Sequence, residues 1–222
     1  MPFTLFEWST KDERDETSGS TVVTGTVTNN ADYLNQGKVL VRIPSLDLEV
    51  WARLVAPGAG PNAGLFYVPR QDDEVLIALA QESPDDAFLL GGLWNTKDTP
   101  PVDDPLLAPS QRIFRTGLDR DSGHSVEFDD SKRSITITTS TDQKITLDPT
   151  TIELANSDGN LKVTLDSSSQ TVTIKGVNVT VEADGSLSLK GKTVSLEASP
   201  GTMTVEADAV CSIKGLRVEI NS

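Results

Sequence analysis

A single cysteine, Cys211, and a single histidine, His124, occur in the 222 residues. One cysteine excludes an intrachain disulfide and fits folding in a reducing cytosol. One histidine with no cysteine cluster excludes the usual zinc sets. No apolar run approaches the ~20 residues that span a bilayer. Met1–Thr10 also lacks the basic stretch leading into an apolar one that marks a secretory signal. Positive charge is scarce as well: 19 Lys and Arg stand against 33 Asp and Glu, a net charge of −14. Nucleic-acid phosphates and anionic membranes repel such a chain on average. The apolar share, 36%, is small for one large buried core.

Aromatics are unevenly spread. All three tryptophans and both tyrosines precede residue 95, and beyond residue 110 only Phe114 and Phe128 remain. Between the halves lies Asp98-Thr-Pro-Pro-Val-Asp-Asp-Pro-Leu-Leu-Ala-Pro109, whose four prolines fit neither a helix interior nor a central strand. The expected organisation is a solvated arm at 1–16, a barrel at 17–97, a proline-rich linker at 98–111 and a repetitive domain at 112–222. In the barrel segment, short strands are expected at Thr21–Thr28, Lys38–Ile43, Glu49–Val55, Leu65–Val68, Glu74–Ala80 and Phe88–Trp94. Five or six such strands with long loops suit an OB-type barrel.

The second half alternates. Apolar pairs at i, i+2 run from Val126/Phe128 through Ile145/Leu147, Ile152/Leu154 and Val172/Ile174. They continue through Val179/Val181, Leu187/Leu189, Val194/Leu196 and Met203/Val205 to Val218/Ile220. Period two means strands with one buried face. There is also a repeat. Val181–Gly191 aligns with Val205–Gly215 at an offset of 24 residues with seven of eleven positions identical, and Lys-Gly-x-x-Val occurs three times, at Lys175, Lys190 and Lys214. Stacked short strands with glycine corners form solenoids.

Each strand of this repeat offers two or three apolar residues, too few to cover a single chain's own interior. Burial is worth about 25 cal/mol per Å2 of apolar surface. Three chains wound on one axis would bury the stripe in a narrow lumen and leave no sheet edges. The expected lumen residues are Val179, Val181, Leu187, Leu189, Val194, Leu196 and Val205. A two-sheet sandwich is the competing arrangement for the same pattern.

The motifs of the first half resemble the baseplate-assembly protein V family, the spikes of contractile phage tails. They are also similar to the valine-glycine-repeat spikes of type VI secretion. The matching residues are Gly37-Lys-Val-Leu-Val-Arg-Ile-Pro44, Trp51-Ala-Arg-Leu54, Ala56-Pro-Gly-Ala-Gly60, Gly64-Leu-Phe-Tyr-Val-Pro69, Asp73-Glu-Val-Leu76 and Leu89-Leu-Gly-Gly-Leu-Trp-Asn95. Ser122-Gly-His-Ser-Val-Glu-Phe-Asp-Asp130 resembles the segment that opens these families' β-helix. The resemblance implies an all-β chain: an N-terminal OB-fold barrel followed by a C-terminal trimeric, intertwined β-helix needle. It implies a homotrimer, made in the bacterial cytoplasm and assembled into a phage-tail or injection-particle baseplate. A hub protein would sit at the barrel end, and a target membrane would be met only on puncture. There are departures. Asp72 stands where the family often has glycine. Neither the preceding hub domain of secretion spikes nor a lysozyme-like insert is expected, and one histidine cannot form a His-x-His metal apex. Spikes with blunt ends carry a separate tip protein with a proline-alanine-alanine-arginine (PAAR) repeat. Its expected platform here is Leu216, Arg217, Val218, Glu219, Ile220 and Asn221.

Several residues could instead suggest chemistry. His124 has no nucleophile or second ligand nearby in sequence. The acid pairs Asp72-Asp73, Asp85-Asp86, Asp103-Asp104 and Asp129-Asp130 fit acid-rich turns better than a glycosidase pair, which needs a defined separation. Gly58-Ala-Gly60 lacks the helix and lysine of a phosphate loop. Cys211 is expected to be a buried thiol, and Trp8, Trp51 and Trp94 core or interface anchors. No catalytic residue, cofactor or metal site is expected. The competing functions are a tailspike-like polysaccharide-degrading enzyme and a nucleic-acid-binding OB protein. The first wants aromatic sugar platforms, and the second wants a basic stripe.

Overall fold

The computed structural model describes residues 21–80, 86–102, 104–117 and 122–220. The expected arm at 1–16, with Trp8, lies outside them, as do Asp85, Asp103 and Asn221. The chain divides into two compact units, Met1–Ile135 and Thr136–Ser222.

In the first unit, β1 (Thr21–Asn29), β2 (Lys38–Ile43), β3 (Leu48–Leu54), β6 (Glu74–Leu79) and β7 (Ala87–Gly92) close into a barrel in the order β1-β2-β3-β7-β6. Neighbours are antiparallel except β3 and β7, which run parallel at Arg53/Phe88 and Leu54/Leu89. Alternation decides the interior. Val27, Val39, Val41, Ile43, Val50, Ala52, Val75, Ile77, Leu79, Ala87 and Leu89 form one core, while Arg42, Glu49, Trp51 and Arg53 point outward. Gly25 sits mid-strand in β1 where a Cβ would come within 2.5 Å of Val41 Cγ1 and 2.9 Å of the Arg42 carbonyl. Glycine there lets two backbones close the small barrel.

Two sequence expectations change. Leu65–Val68 is not a strand. The paired residues lie just before it, in β4 (Ala59–Gly60) and β5 (Ala63–Gly64) around a turn at Pro61-Asn62. Leu65, Phe66 and Tyr67 are all exposed, so these successive apolar residues have no buried face to alternate against; only Val68 and Pro69 turn inward. Asp72, the departure from the family's glycine, adopts φ +71°. That left-handed conformation favours glycine, and Asp is among the few other residues that tolerate it.

From Gln111 onward β8 (Gln111–Arg115), β9 (Ser125–Asp129), β10 (Ser134–Thr138), β11 (Lys144–Leu147), β12 (Thr151–Ala155), β13 (Lys162–Asp166) and β14 (Thr171–Lys175) lie side by side in chain order. Within the second unit the register aligns the apolar residues across four strands: Ile145/Leu154, Leu147/Ile152, Ile152/Leu165, Leu154/Val163, Val163/Ile174 and Leu165/Val172. One face of this meander is therefore continuously aliphatic. Beyond Lys175 no strand is assigned among the described residues.

Candidate assembly surfaces

A sheet built by period-two alternation should bury its apolar face. Here the single chain does the reverse. Ile152 and Leu154 are exposed, while Thr151, Glu153 and Ala155 between and beside them are half-buried. On the polar face Glu153 accepts from Lys162 Nζ at 3.0 Å and from the Thr164 hydroxyl at 3.2 Å. Val172 and Ile174 on the last strand are 67% and 60% exposed. Among the described residues nothing packs this aliphatic face into a buried core.

Residues 177–220 carry this further. Every one is exposed, and bends begin at Val177, Asp184, Lys192, Ser199, Asp208 and Leu216, eight residues apart to within one. Three such steps make the 24-residue repeat. Turn-forming residues mark these corners in the sequence itself: Asp184-Gly185, Ser199-Pro-Gly201 and Asp208. Between bends sits one apolar pair. The seven expected lumen residues Val179, Val181, Leu187, Leu189, Val194, Leu196 and Val205 are 54–70% exposed, and the single chain does not pack them into a core. Cys211, expected to be buried, is exposed in this chain, because the segment around it has nothing packed against it. At the C-terminal end Leu216, Val218 and Ile220 are exposed, and Arg217 pairs with Glu219.

The meander's hairpins show a second regularity. Asp129 and Asp166 end their strands and Asp148 directly follows one, at spacings of 19 and 18 residues, and each carboxylate caps the turn that follows. Asp129 Oδ1 accepts from the Ser131 N–H and hydroxyl and the Lys132 N–H, while Oδ2 meets the Lys132 ammonium at 2.9 Å as an ion contact. Asp148 accepts from the N–H groups of Thr150 (2.8 Å) and Thr151 (2.7 Å) and from both hydroxyls. Asp166 accepts from the Ser168 N–H and hydroxyl and the Ser169 N–H. These are Asx-type turns. The Ser131 hydroxyl and the Lys132 N–H and ammonium hold Asp129 well below the usual carboxylate range. The Thr151 hydroxyl, with the Thr150 and Thr151 N–H groups, holds Asp148 down at about 2. Hydroxyl and N–H donors of Ser168 and Ser169 hold Asp166 at about 2.

Other residues singled out in the sequence are structural. Asp73 accepts from the Arg70 N–H at 2.7 Å and lies 3.5 Å from its guanidinium. His124 joins the end of the β8/β9 hairpin through its backbone, accepting from the Thr116 N–H at 2.8 Å. Trp51 and Trp94 are exposed, 41% and 65%. Among the described residues there is no group of three or more His, Cys, Asp or Glu placed to hold a metal ion, and no helix long and apolar enough to cross a membrane.

A closed barrel of five strands in the order 1-2-3-5-4, with the third and fifth parallel, is the OB topology. Residues 23–94 match the family model of the type VI secretion system/phage-baseplate injector OB domain. All five barrel strands lie within or overlap this matched segment. No curated protein matches the chain. Among solved structures, a chain of the "Structure of Francisella PdpA-VgrG Complex, Lidded" is matched at 10% identity with a TM-score of 0.35, over 71% of this chain and 25% of that one. This chain thus spans about a quarter of that chain's length, and so low a score establishes no shared fold.

The aspartate-capped turns have a pH signature. Asp148 and Asp166 ionise at lower pH in the folded chain, so the unfolded chain binds more protons between about pH 4 and pH 2. Their stabilisation is present above about pH 4 and is lost as pH falls through about 2. A melting series followed by circular dichroism should show Tm falling across that window. The double variant Asp148→Asn, Asp166→Asn should melt lower at pH 7 and fall less. An equal fall in the variant would contradict the assignment.

Proposed function

We propose that this chain is the central spike subunit of a contractile injection machine, a phage tail or related particle. Its OB barrel anchors the spike to the hub, and three copies of residues 112–222 wind into a β-helix needle that pierces the target envelope. The observation that carries this is the fully exposed stretch 177–220, with its bend about every eight residues and its one apolar pair between bends.

A single-chain solenoid would stack residue i+24 on residue i at the inter-strand spacing of about 4.8 Å. Its coils would hydrogen-bond to each other and bury their own interior. The described residues of this stretch do neither. If three chains wind together, two foreign strands lie between successive coils of one chain, which then climbs about 14 Å per repeat. Every backbone group finds its partner on another copy, as buried backbone requires. Three bends per repeat give three equivalent faces, which matches threefold symmetry. Covering each half-exposed Val, Leu or Ile contributes about 1 kcal/mol, and the gain is multiplied over both the meander and the needle.

The role is mechanical and not enzymatic. Asp129, Asp148 and Asp166 cap turns and Glu153 pairs with Lys162, so these acids of the meander are each engaged separately. The polysaccharide-enzyme reading gains no supporting observation, and neither does nucleic-acid binding by a chain of net charge −14. At the C-terminal end Leu216–Ile220 present apolar side chains and strand groups with nothing above them. A PAAR-repeat tip protein would dock there by strand-end hydrogen bonding and apolar contact.

The register is tested by Val181→Asp. In a shared lumen it would bring three carboxylates together in apolar surroundings, at a cost of several kcal/mol each unless protonated. Size-exclusion chromatography should show lost assembly or a Tm lower by more than about 10 °C. Normal assembly and melting would mean that Val181 does not face the axis. Removing residues 216–222 tests the end separately. The assembly should stay folded but no longer co-purify with the tip protein, and tip binding kept by the truncated chain would refute the platform.

A further inference from the structure

A groove of about 1160 Å3 opens on the outer surface of the barrel, walled in large part by the β3–β6 connection. Charges of both signs line it, Arg53 and Arg70 with Asp73, Glu74 and Asp98. Most of them are engaged by neighbours. Arg70 lies 3.5 Å from Asp73, Glu74 accepts from Asn95 Nδ2 at 2.9 Å, and the Arg53 guanidinium stacks 4.5 Å from the Phe88 ring centroid. What stays open is apolar. Leu65, Phe66, Tyr67 and Trp94 all line the groove and are exposed, Phe66 by 73% and Trp94 by 65%. Aromatic groups gathered in a concave site suit an apolar, aromatic occupant.

The chain carries such a segment outside its described residues. Met1–Trp8 reads Met-Pro-Phe-Thr-Leu-Phe-Glu-Trp, with Phe3, Leu5, Phe6 and Trp8 beside a single acid, Glu7. Residues 9–20 that follow hold no large apolar side chain. An aromatic head is thus joined to β1 by a polar tether. The tether is rooted close to the groove. Val22 pairs with Ala78, Ala78 with Phe88, and Phe88 with Arg53, so one rung crosses four strands. Ile77, Leu79, Ala87 and Leu89 beside it turn into the core, which leaves Val22, Ala78 and Phe88 on the outer face. Phe88 and Arg53, at the far end of this rung, line the groove. Three strand spacings, about 14 Å, therefore separate the start of β1 from it. Residues 9–20 span roughly 40 Å at full extension, so the head reaches the groove with slack.

We propose that residues 3–8 fill the groove of their own chain, with Phe3, Phe6 and Trp8 seated against Phe66, Trp94 and the Leu65–Tyr67 wall. The contact removes two aromatic surfaces from water at once. The tether makes it intramolecular, at an effective concentration near millimolar, so a modest contact suffices. The charges that line the groove keep their present partners, because the head brings apolar side chains and only one acid. The proposal does not depend on how many copies assemble.

The test uses the full chain carrying Cys211→Ser, Ser9→Cys and Ala63→Cys. Position 9 adjoins the head, and position 63 is an exposed site lining the groove. After treatment with a short bismaleimide the chain should run as a monomer on a denaturing gel, with positions 9 and 63 joined within one chain by peptide mass mapping. Adding Phe3→Ser, Phe6→Ser and Trp8→Ser should lower that linkage at least about fivefold, since the tether alone supplies only its effective concentration. Equal linkage in the serine variant would show proximity without docking and would overturn the proposal. Absence of linkage in the aromatic chain would overturn it too. Covalent dimers or trimers would show the head serving a neighbouring copy, and the groove would then not be filled by its own chain.

Discussion

Every strand must satisfy two demands at once: its backbone groups need partners and its apolar face needs cover. The barrel meets both inside one chain, because five strands close on themselves and Val, Ile, Leu and Ala fill the interior. The meander meets only the first. Its strands pair in chain order, yet Ile152, Leu154, Val172 and Ile174 face outward uncovered. The last 44 described residues, 177–220, meet neither within the chain. This graded failure, from self-sufficient barrel to dependent C-terminal stretch, is what makes assembly with further copies the economical explanation of the sequence.

Local chemistry supports the same design. Asp129, Asp148 and Asp166 tighten successive turns with side chains that the neighbouring Ser, Thr and Lys hold ionised. Short capped turns keep successive strands in register, and register decides which face a side chain takes. In the barrel, Gly25 and Asp72 do comparable work, one by omitting a Cβ at a crowded closure and the other by accepting φ +71°. The acid excess of the chain is thus partly a by-product of turn capping, and it needs no acidic or basic substrate to explain it.

Much of the barrel was legible because its alternation is strict: β2 begins and ends where Lys38–Ile43 was expected, and β1, β3, β6 and β7 lie within a residue or two of expectation. Leu65–Val68 misled, because apolar β-formers in a row look like a strand even when they form an exposed rim. The aspartate caps were hidden in acid pairs that resemble any solvated turn. The eight-residue bends were obscured because the spacing slips by one at Asp184, Ser199 and Asp208, and only the 24-residue multiple stood out. The expected lumen residues share one chemical face in the sequence, but the single chain leaves them exposed and outside its core.

Native mass spectrometry of the purified full-length protein tests the central claim most directly. The account predicts one species at roughly three times the 23.8 kDa chain mass, persisting at low micromolar concentration. A monodisperse monomer under the same conditions would contradict it.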